Sequence, residues 1–294
     1  MERQVSERLA GIACGLAAAL VWGGFPVMTR LGVARSALDL WDITFLRYGV
    51  SGLILLPVFW RHRCAGLGLW PVLLLVAGIG APYMLMVGFG LRLAPAGLFA
   101  ALTPGSMILF SAGLAVFWMR RPMPGRERAA MGVLLAGLVV AGSGGIVSAG
   151  PAALGFLLMA GFLWAVYTVA TRVHPVAPLQ ATAIVSVLSA VIFTPVYLMV
   201  KGTSLLSAPL DQVLLHGVYQ GVLVSVVALY FYSRAVVLLG PTVGASFAAL
   251  VPVVAVVEAI FILGEHPTPT VLAGLVLVTA GMVATLVASR PPRR

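Results

Sequence analysis

Long apolar runs separated by short polar interruptions set the rhythm of this chain. Runs near 9–29, 40–60, 67–91, 94–117, 128–147, 152–173, 178–200, 213–239, 242–263 and 268–289 are almost free of charge. A helix rises about 1.5 Å per residue, so about 20 such residues cross a hydrocarbon core of roughly 30 Å. Only helices and closed barrels satisfy every backbone N–H and C=O inside lipid. These runs are too long and too uniformly apolar for the alternating strands of a barrel. The pattern therefore predicts an all-α membrane protein with ten transmembrane helices, the tightest turns falling at Ala94-Pro95 and Gly240-Pro241. The first run has the length of a full span and no convincing small-residue cleavage site, and reads as a retained helix rather than a signal peptide.

Composition agrees with this and removes other classes. Of 294 residues, 61% are hydrophobic and 9% charged, more apolar surface than one water-soluble globule can hide. The net charge of +10 would suggest nucleic acid on an aqueous surface. Here the arginines gather at the ends of apolar runs, so the partner they indicate is the lipid bilayer, not nucleic acid. Cys14 and Cys64 are the only cysteines, which excludes a disulfide scaffold.

Short cytoplasmic loops carry an excess of Lys and Arg. With the N-terminus cytoplasmic, that side receives thirteen arginines, Arg3, Arg8, Arg61, Arg63, Arg120, Arg121, Arg126, Arg128, Arg172, Arg234, Arg290, Arg293 and Arg294. The other side receives four cations, Arg30, Arg35, Arg92 and Lys201, and Arg47 is left within a span. Both termini are expected in the cytoplasm.

One phrase is written twice. "LVWGGFPVMTR" (Leu20 to Arg30) aligns with "FLWAVYTVATR" (Phe162 to Arg172), matching Trp22 with Trp164, Thr29 with Thr171 and Arg30 with Arg172. "FAALTP" (Phe99 to Pro104) likewise matches "FAALVP" (Phe247 to Pro252), and "RPMP" (Arg121 to Pro124) matches "HPTP" (His266 to Pro269). Five spans separate the copies, so the second enters the membrane from the opposite face. The halves, 1–147 and 148–294, are expected to be inverted-topology repeats of five helices each, the architecture of alternating access. A duplicated scaffold without transport would have little use for the helix breakers at Pro26, Pro82, Pro104 and Pro252. Gly11, Gly15, Gly132, Gly137, Gly142, Gly274 and Gly281 are expected to mark close helix contacts. Trp41, Trp60, Trp70 and Trp118 sit near span ends, where an interfacial belt is expected.

Two charges fall within spans, Arg47 and Glu258, at similar distance from the same face. Three readings stand open: an ion pair between them, separate reach toward the interface, or clamps for the carboxylate and ammonium of a substrate.

The "W-G" of the first helix, "AALTP" and "AALVP" in the fourth and ninth, and "LGEHPT" (Leu263 to Thr268) together resemble EamA-type members of the drug/metabolite transporter superfamily, over nearly the whole chain. "WAVYTVATR" (Trp164 to Arg172) is similar to YddG-type bacterial exporters of aromatic and other amino acids. The resemblance implies efflux of amino acids and related metabolites across a bacterial inner membrane, by a monomer or weak homodimer that needs no cofactor or metal. One departure stands out: the fourth helix ends in "FWMRRPMP" where the ninth ends in "LGE". On the cavity helices that the resemblance implies, the candidates for substrate contact are Trp22, Phe25, Tyr83, Met86, Thr103, Trp164, Tyr167, Thr168, His216, Tyr219, Gln220, Ser225, Tyr230 and Ser246. Aromatic walls with a few fixed polar groups suit an apolar amino acid. Nucleotide sugars or sugar phosphates would call for deep Lys or Arg on those helices, which show only Glu258 away from their ends. No H-E-x-x-H, G-x-S-x-G or Walker A pattern is present, and the histidines stand apart at 62, 174, 216 and 266, so an enzyme is not expected. A channel is the weaker alternative to a rocking carrier.

Overall fold

The computed structural model describes residues 2–120 and 123–288, and among these every regular element is helical. Arg121, Arg290, Arg293 and Arg294 of the charge count lie outside the described residues, as does the start of the "RPMP" match. The long helices are α1 (Glu2–Arg35), α2 (Leu40–His62), α3 (Leu69–Ile79), α4 (Ala81–Leu93), α5 (Ala96–Met119), α6 (Gly125–Val173) and α7 (Pro178–Lys201). There follow α8 (Leu210–His216), a π-helical stretch (Gly217–Val227), α9 (Ala228–Leu239), α10 (Pro241–Ser246), a 3₁₀ turn (Phe247–Leu250), α11 (Val251–Leu263) and α12 (Pro269–Ala288).

Eight segments among the described residues are long and apolar enough to cross a membrane, where the hydropathy pattern alone predicts ten. The difference has two physical sources. Helix α6 runs on for 49 residues but contains Gly150 at φ 81°, ψ 167°, a conformation open to glycine and costly for other residues, which divides it into arms 125–149 and 151–173. The stretch after Gly240, itself at φ 84°, is broken into α10, the 3₁₀ turn and α11, so that only Phe247–Leu263 forms a shorter apolar helix. Pro252 therefore opens α11 instead of kinking the middle of a helix, whereas Pro104 lies inside an unbroken α5.

The break between α3 and α4 falls at Gly80 (φ −85°, ψ −153°). Pro82 occupies the first turn of α4, where its missing N–H leaves no gap in the ladder. The backbone groups the break releases are satisfied from neighbours: the Tyr48 hydroxyl donates to Ile79 O at 2.6 Å and Ser189 Oγ accepts from Ala81 N at 3.3 Å. In lipid an orphaned carbonyl or amide costs several kcal/mol, so these side chains make the interruption possible.

The first helix of each half lies against the other half. α1 runs antiparallel to the π stretch and α9, with Gly11 against Leu239 and Thr29 hydrogen-bonded to Gln220, and parallel to α11, with Gly23 against Val254 and Gly24 beside Glu258. The second arm of α6 repeats this relation: Gly90 meets Leu157 and Gly78 meets Tyr167 along α4 and α3, while Thr103 bonds Leu157 O and Gly161 meets Ser106 along α5. Arg30, near the end of α1, bonds Leu91 O and Arg92 O, and Leu157, near the start of the second arm, packs on Gly90. The end of one therefore lies beside the start of the other, and the two helices run in opposite directions.

Close approach between α6 and α12 depends on glycines. A Cβ at Gly137 would lie 2.6 Å from Val278 N, one at Gly274 2.5 Å from Ala141 N, and one at Gly281 2.7 Å from Leu134 Cβ. Gly132 faces open space and Gly142 only an ordinary contact with Leu154, so these two do not serve the seam as the sequence pattern predicts. Trp60, Trp70 and Trp118 are exposed, while Trp41, at the start of α2, is half-buried and stacks on Phe193 at 5.7 Å between centroids. Replacing Gly274 or Gly137 with leucine is expected to destabilise the purified protein by about 1–3 kcal/mol or more through overpacking against rigid backbone, while Gly132→Leu leaves melting in detergent unchanged. Equal melting of Gly274→Leu and wild type would remove the seam from the account of stability.

Candidate functional site

The residues of α1 between Val21 and Arg30 form the centre of a polar and aromatic cluster. Its polar side is built by the π-helical stretch, whose wider turn holds Tyr219, Gln220 and Ser225 on one element; such single π segments recur at functional sites. Tyr219 donates to Val21 O at 3.0 Å, and Trp22 Nε1 donates to Val224 O at 3.2 Å, so the two elements exchange bonds in both directions. Ser225 Oγ returns a bond to Gln220 O at 2.9 Å inside the stretch itself. Gln220 is fully buried: its Nε2 donates to Thr29 Oγ1 at 2.9 Å and its Oε1 accepts from Arg47 Nη1 at 3.1 Å.

Aromatic groups enclose the other side. The Arg47 guanidinium lies 4.8 Å from the Phe25 ring centroid and 5.7 Å from that of Tyr48. Phe25 meets Phe99 edge-on at 5.9 Å, Tyr83 meets Trp164 edge-on at 6.3 Å, and Trp22 lies against Tyr232 at 5.3 Å. Tyr83 stands within electrostatic reach of Arg47, which joins the two aromatic groups. Glycine at 24 makes room for this arrangement: a Cβ there would collide with the Tyr219 hydroxyl and lie 2.6 Å from Glu258 Oε2.

Arg47 and Glu258 form no direct ion pair. The described ion pairs join Arg30 to Glu265 and Lys201 to Asp39 and Asp42, while Arg47 is held by Gln220 and Glu258 sits beside Tyr219 and Gly24. The two charges flank neighbouring residues, Phe25 and Gly24, from different helices, a separation that the sequence spacing does not reveal.

Not every sequence candidate joins the cluster. Trp22, Phe25, Tyr219, Gln220 and Ser225 do, with Tyr83 and Trp164 adjoining through Arg47. Tyr167 packs over Gly78 and Met86 is half-buried on α4. Thr103 is fully buried and donates to Leu157 O at 3.1 Å, which makes it a packing tie. His216 is buried against Gly32 with Nδ1 unpartnered. Tyr230 is 60% exposed and Ser246, also exposed, bonds only Val243 O, so these two stand away from the cluster. Thr168 faces a separate cavity of about 220 Å³ between α5 and both arms of α6, shared with Met107, Ser111, Met131, Glu127 and Arg172.

Residues that the sequence reading passed over close one end of the bundle. Arg30 Nε pairs with Glu265 Oε1 at 3.3 Å, Arg30 Nη1 donates to Leu91 O and Arg92 O at 2.5 and 2.9 Å, and Glu265 Oε2 accepts from Ala96 N at 2.8 Å. Arg35 Nη1 adds a bond to Leu263 O at 2.6 Å. This knot joins α1, the α4–α5 turn and the loop after α11. Beside it, Asp39 caps α2 in a reciprocal box with Asp42, Lys201 bonds Asp39 at 2.8 Å, and Tyr197 donates to Asp42 at 2.6 Å. The "LGE" motif marks Glu265 in the sequence, but its partner is an arginine that reads there as a topology anchor.

These features define a class: a multi-pass helical membrane protein built from two like units around a shared polar and aromatic seam. The sequence matches the EamA-like transporter family over residues 9–143 and again over 151–287, and the chain belongs to that family. It is accordingly a membrane transporter of small molecules. No curated protein matches its sequence. A solved structure described only as "Crystal structure of protein" aligns with a TM-score of 0.62 at 19% identity, covering 97% of this chain and 99% of that one, and so shares its fold.

Burial raises the Asp39 carboxyl, but the Lys201 ammonium and the Asp42 N–H outweigh it and hold the group below its ordinary value of 3.8. With the folded value depressed, the stabilisation is present above the unfolded value of about 3.9 and is lost as pH falls through the folded one. Asp39→Asn is therefore expected to lower the melting temperature by a constant amount between about pH 5 and about pH 7, and by progressively less below about pH 4. A difference that stays unchanged down to about pH 2 would contradict the assignment.

Proposed function

We propose that this protein exports amino acids, aromatic and other apolar ones above all, from the cytoplasm across a bacterial inner membrane by alternating access. The observation that carries the proposal is the reciprocal packing of the matched first helices: α1 against the second unit and the second arm of α6 against the first, in opposite directions. Two units related in this way, 1–147 and 148–294, form inverted repeats, and a substrate site belongs at their seam. The seam holds Trp22, Phe25, Tyr83 and Trp164 as apolar walls, with Tyr219, Gln220 and Ser225 as fixed polar groups, a lining that suits an aromatic amino acid.

Ten crossings follow if the arms of α6 cross separately at Gly150 and α10 with α11 crosses as a pair. Both termini are then cytoplasmic, by the distribution of Lys and Arg. On that orientation the Arg30–Glu265 knot closes the outer end, and the cavity beside Thr168 and Arg172 lies toward the inner end.

Protein reconstituted in liposomes is expected to exchange labelled phenylalanine or tryptophan. Trp164→Ala and Trp22→Ala, both at the seam, should each weaken exchange by about tenfold or more while insertion is retained, Trp22→Ala also lowering melting because it leaves Val224 O without its donor. Uptake of sugar phosphates in place of amino acids would overturn the substrate assignment. Glu265→Gln should raise labelling of a cysteine placed at Ala96 from the outer face. Unchanged labelling would mean that the knot is not a gate.

A further inference from the structure

Arg47 is a cation without an anion. It lies eight residues into α2, within an apolar span, where an uncompensated charge costs several kcal/mol. None of the ion pairs among the described residues includes it. Its polar side-chain neighbours, Gln220 at 3.1 Å and Tyr48, are neutral, and its Nε is buried with no hydrogen-bond acceptor.

The surroundings hold the guanidinium in one pose. Phe25 covers a face at 4.8 Å, an arrangement that uses the ring's π cloud and leaves the in-plane N–H groups free for acceptors. Gln220 takes the Nη1 edge and is itself fixed by Thr29, whose hydroxyl is anchored on Phe25 O at 2.7 Å. Three elements, α1, α2 and the π stretch, thus agree on where the head group sits, and what they leave unsatisfied is the Nε edge. The nearby hydroxyl of Tyr48 donates to Ile79 O and carries no charge, so it supplies no counterion. Glu258 lies beside Gly24 and Tyr219 and forms no ion pair with Arg47 among the described residues.

We infer that Arg47 is the specificity-determining residue for a carboxylate on the transported molecule, which completes the charge and hydrogen bonding of its Nε edge. An arginine offers a carboxylate two parallel charged N–H donors in one plane, a bidentate match stronger than bonds between neutral groups. One guanidinium balances one negative charge, so the cargo carries a single carboxylate at this point and not a di- or triphosphate. The aromatic neighbours, Phe25, Tyr83 and Trp164, take the rest of the molecule. This inference rests on the proposed export of amino acids for the identity of the cargo, but not for the chemistry of the anchor.

The test needs no variant in its first arm. In liposomes loaded with labelled phenylalanine, unlabelled phenylalanine and 3-phenylpropanoate should compete, while phenylalaninamide and phenethylamine, which lack the carboxylate, compete at least about tenfold more weakly. In the second arm, Arg47→Gln should erase that preference for the acid over the amide, and Arg47→Lys should retain part of it, each variant first shown monodisperse with wild-type melting. Binding is read independently from the melting shift given by 3-phenylpropanoate, which wild type should show and Arg47→Gln should not. If phenylalanine is not exchanged but that shift is present in wild type and absent in the variant, the anchor stands and the amino-acid reading falls. Equal competition by acid and amide in wild type, or an acid preference and shift that survive in Arg47→Gln, would overturn the anchor.

Discussion

Every backbone amide and carbonyl inside a lipid bilayer must find a partner within the protein, and the layout of this molecule follows from meeting that demand wherever a helix is interrupted. At the Gly80 break the partners are Tyr48 and Ser189. In the π stretch, Val224 O receives Trp22 and Gln220 O receives Ser225. Along the second arm of α6, Leu157 O receives Thr103. These partners come from neighbouring helices more often than from the interrupted element itself. The interruptions are thereby also the joints between the units.

Close approach without a strong hydrophobic drive is the second demand, since lipid tails are as apolar as the side chains they would replace. The paired first helices meet it with small residues: Gly23 and Gly24 let α11 and Tyr219 reach α1, and Gly78 and Gly161 let α3 and α5 reach the second arm of α6. The same choice that allows packing opens room for function. With no side chain at 24, a carboxylate and a phenol lie directly against the backbone of α1, one residue from the ring that covers Arg47.

Helical class, lipid context and the doubled family motif were legible because each is written as a run or a repeat: apolar stretches of about 20 residues, and phrases such as "FAALTP" and "FAALVP". What escaped the sequence was partnership across distance. Arg47 with Gln220, Arg30 with Glu265 and Tyr197 with Asp42 join positions more than 150 residues apart. Hydropathy also could not separate Gly132, which faces open space, from Gly137 one turn on, which touches backbone, because a single glycine carries no record of its neighbour. Tyr230 and Ser246 were misplaced for a related reason: membership of a cavity helix does not say which way a residue points.

The two units differ at the ends of the bundle, where the proposed alternating access would open and close. In the repeat, Arg172 stands where Arg30 stands, and the match of "RPMP" with "HPTP" sets Arg120 opposite Glu265. One end of the bundle therefore joins a cation to an anion, with side chains only 19% and 10% exposed, and strengthens the pair with backbone bonds to Leu91, Arg92 and Ala96. At the other end the equivalent positions, Arg120 and Arg172, are both cationic and exposed, so this tie is not repeated between them. On the proposed orientation this tilts the resting protein toward an outer face shut and an inner face open, the state in which an exporter meets cytoplasmic cargo. A tilt of about 1.4 kcal/mol already sets a tenfold ratio between the two states. Cargo can reverse it only by favouring the other state by at least as much.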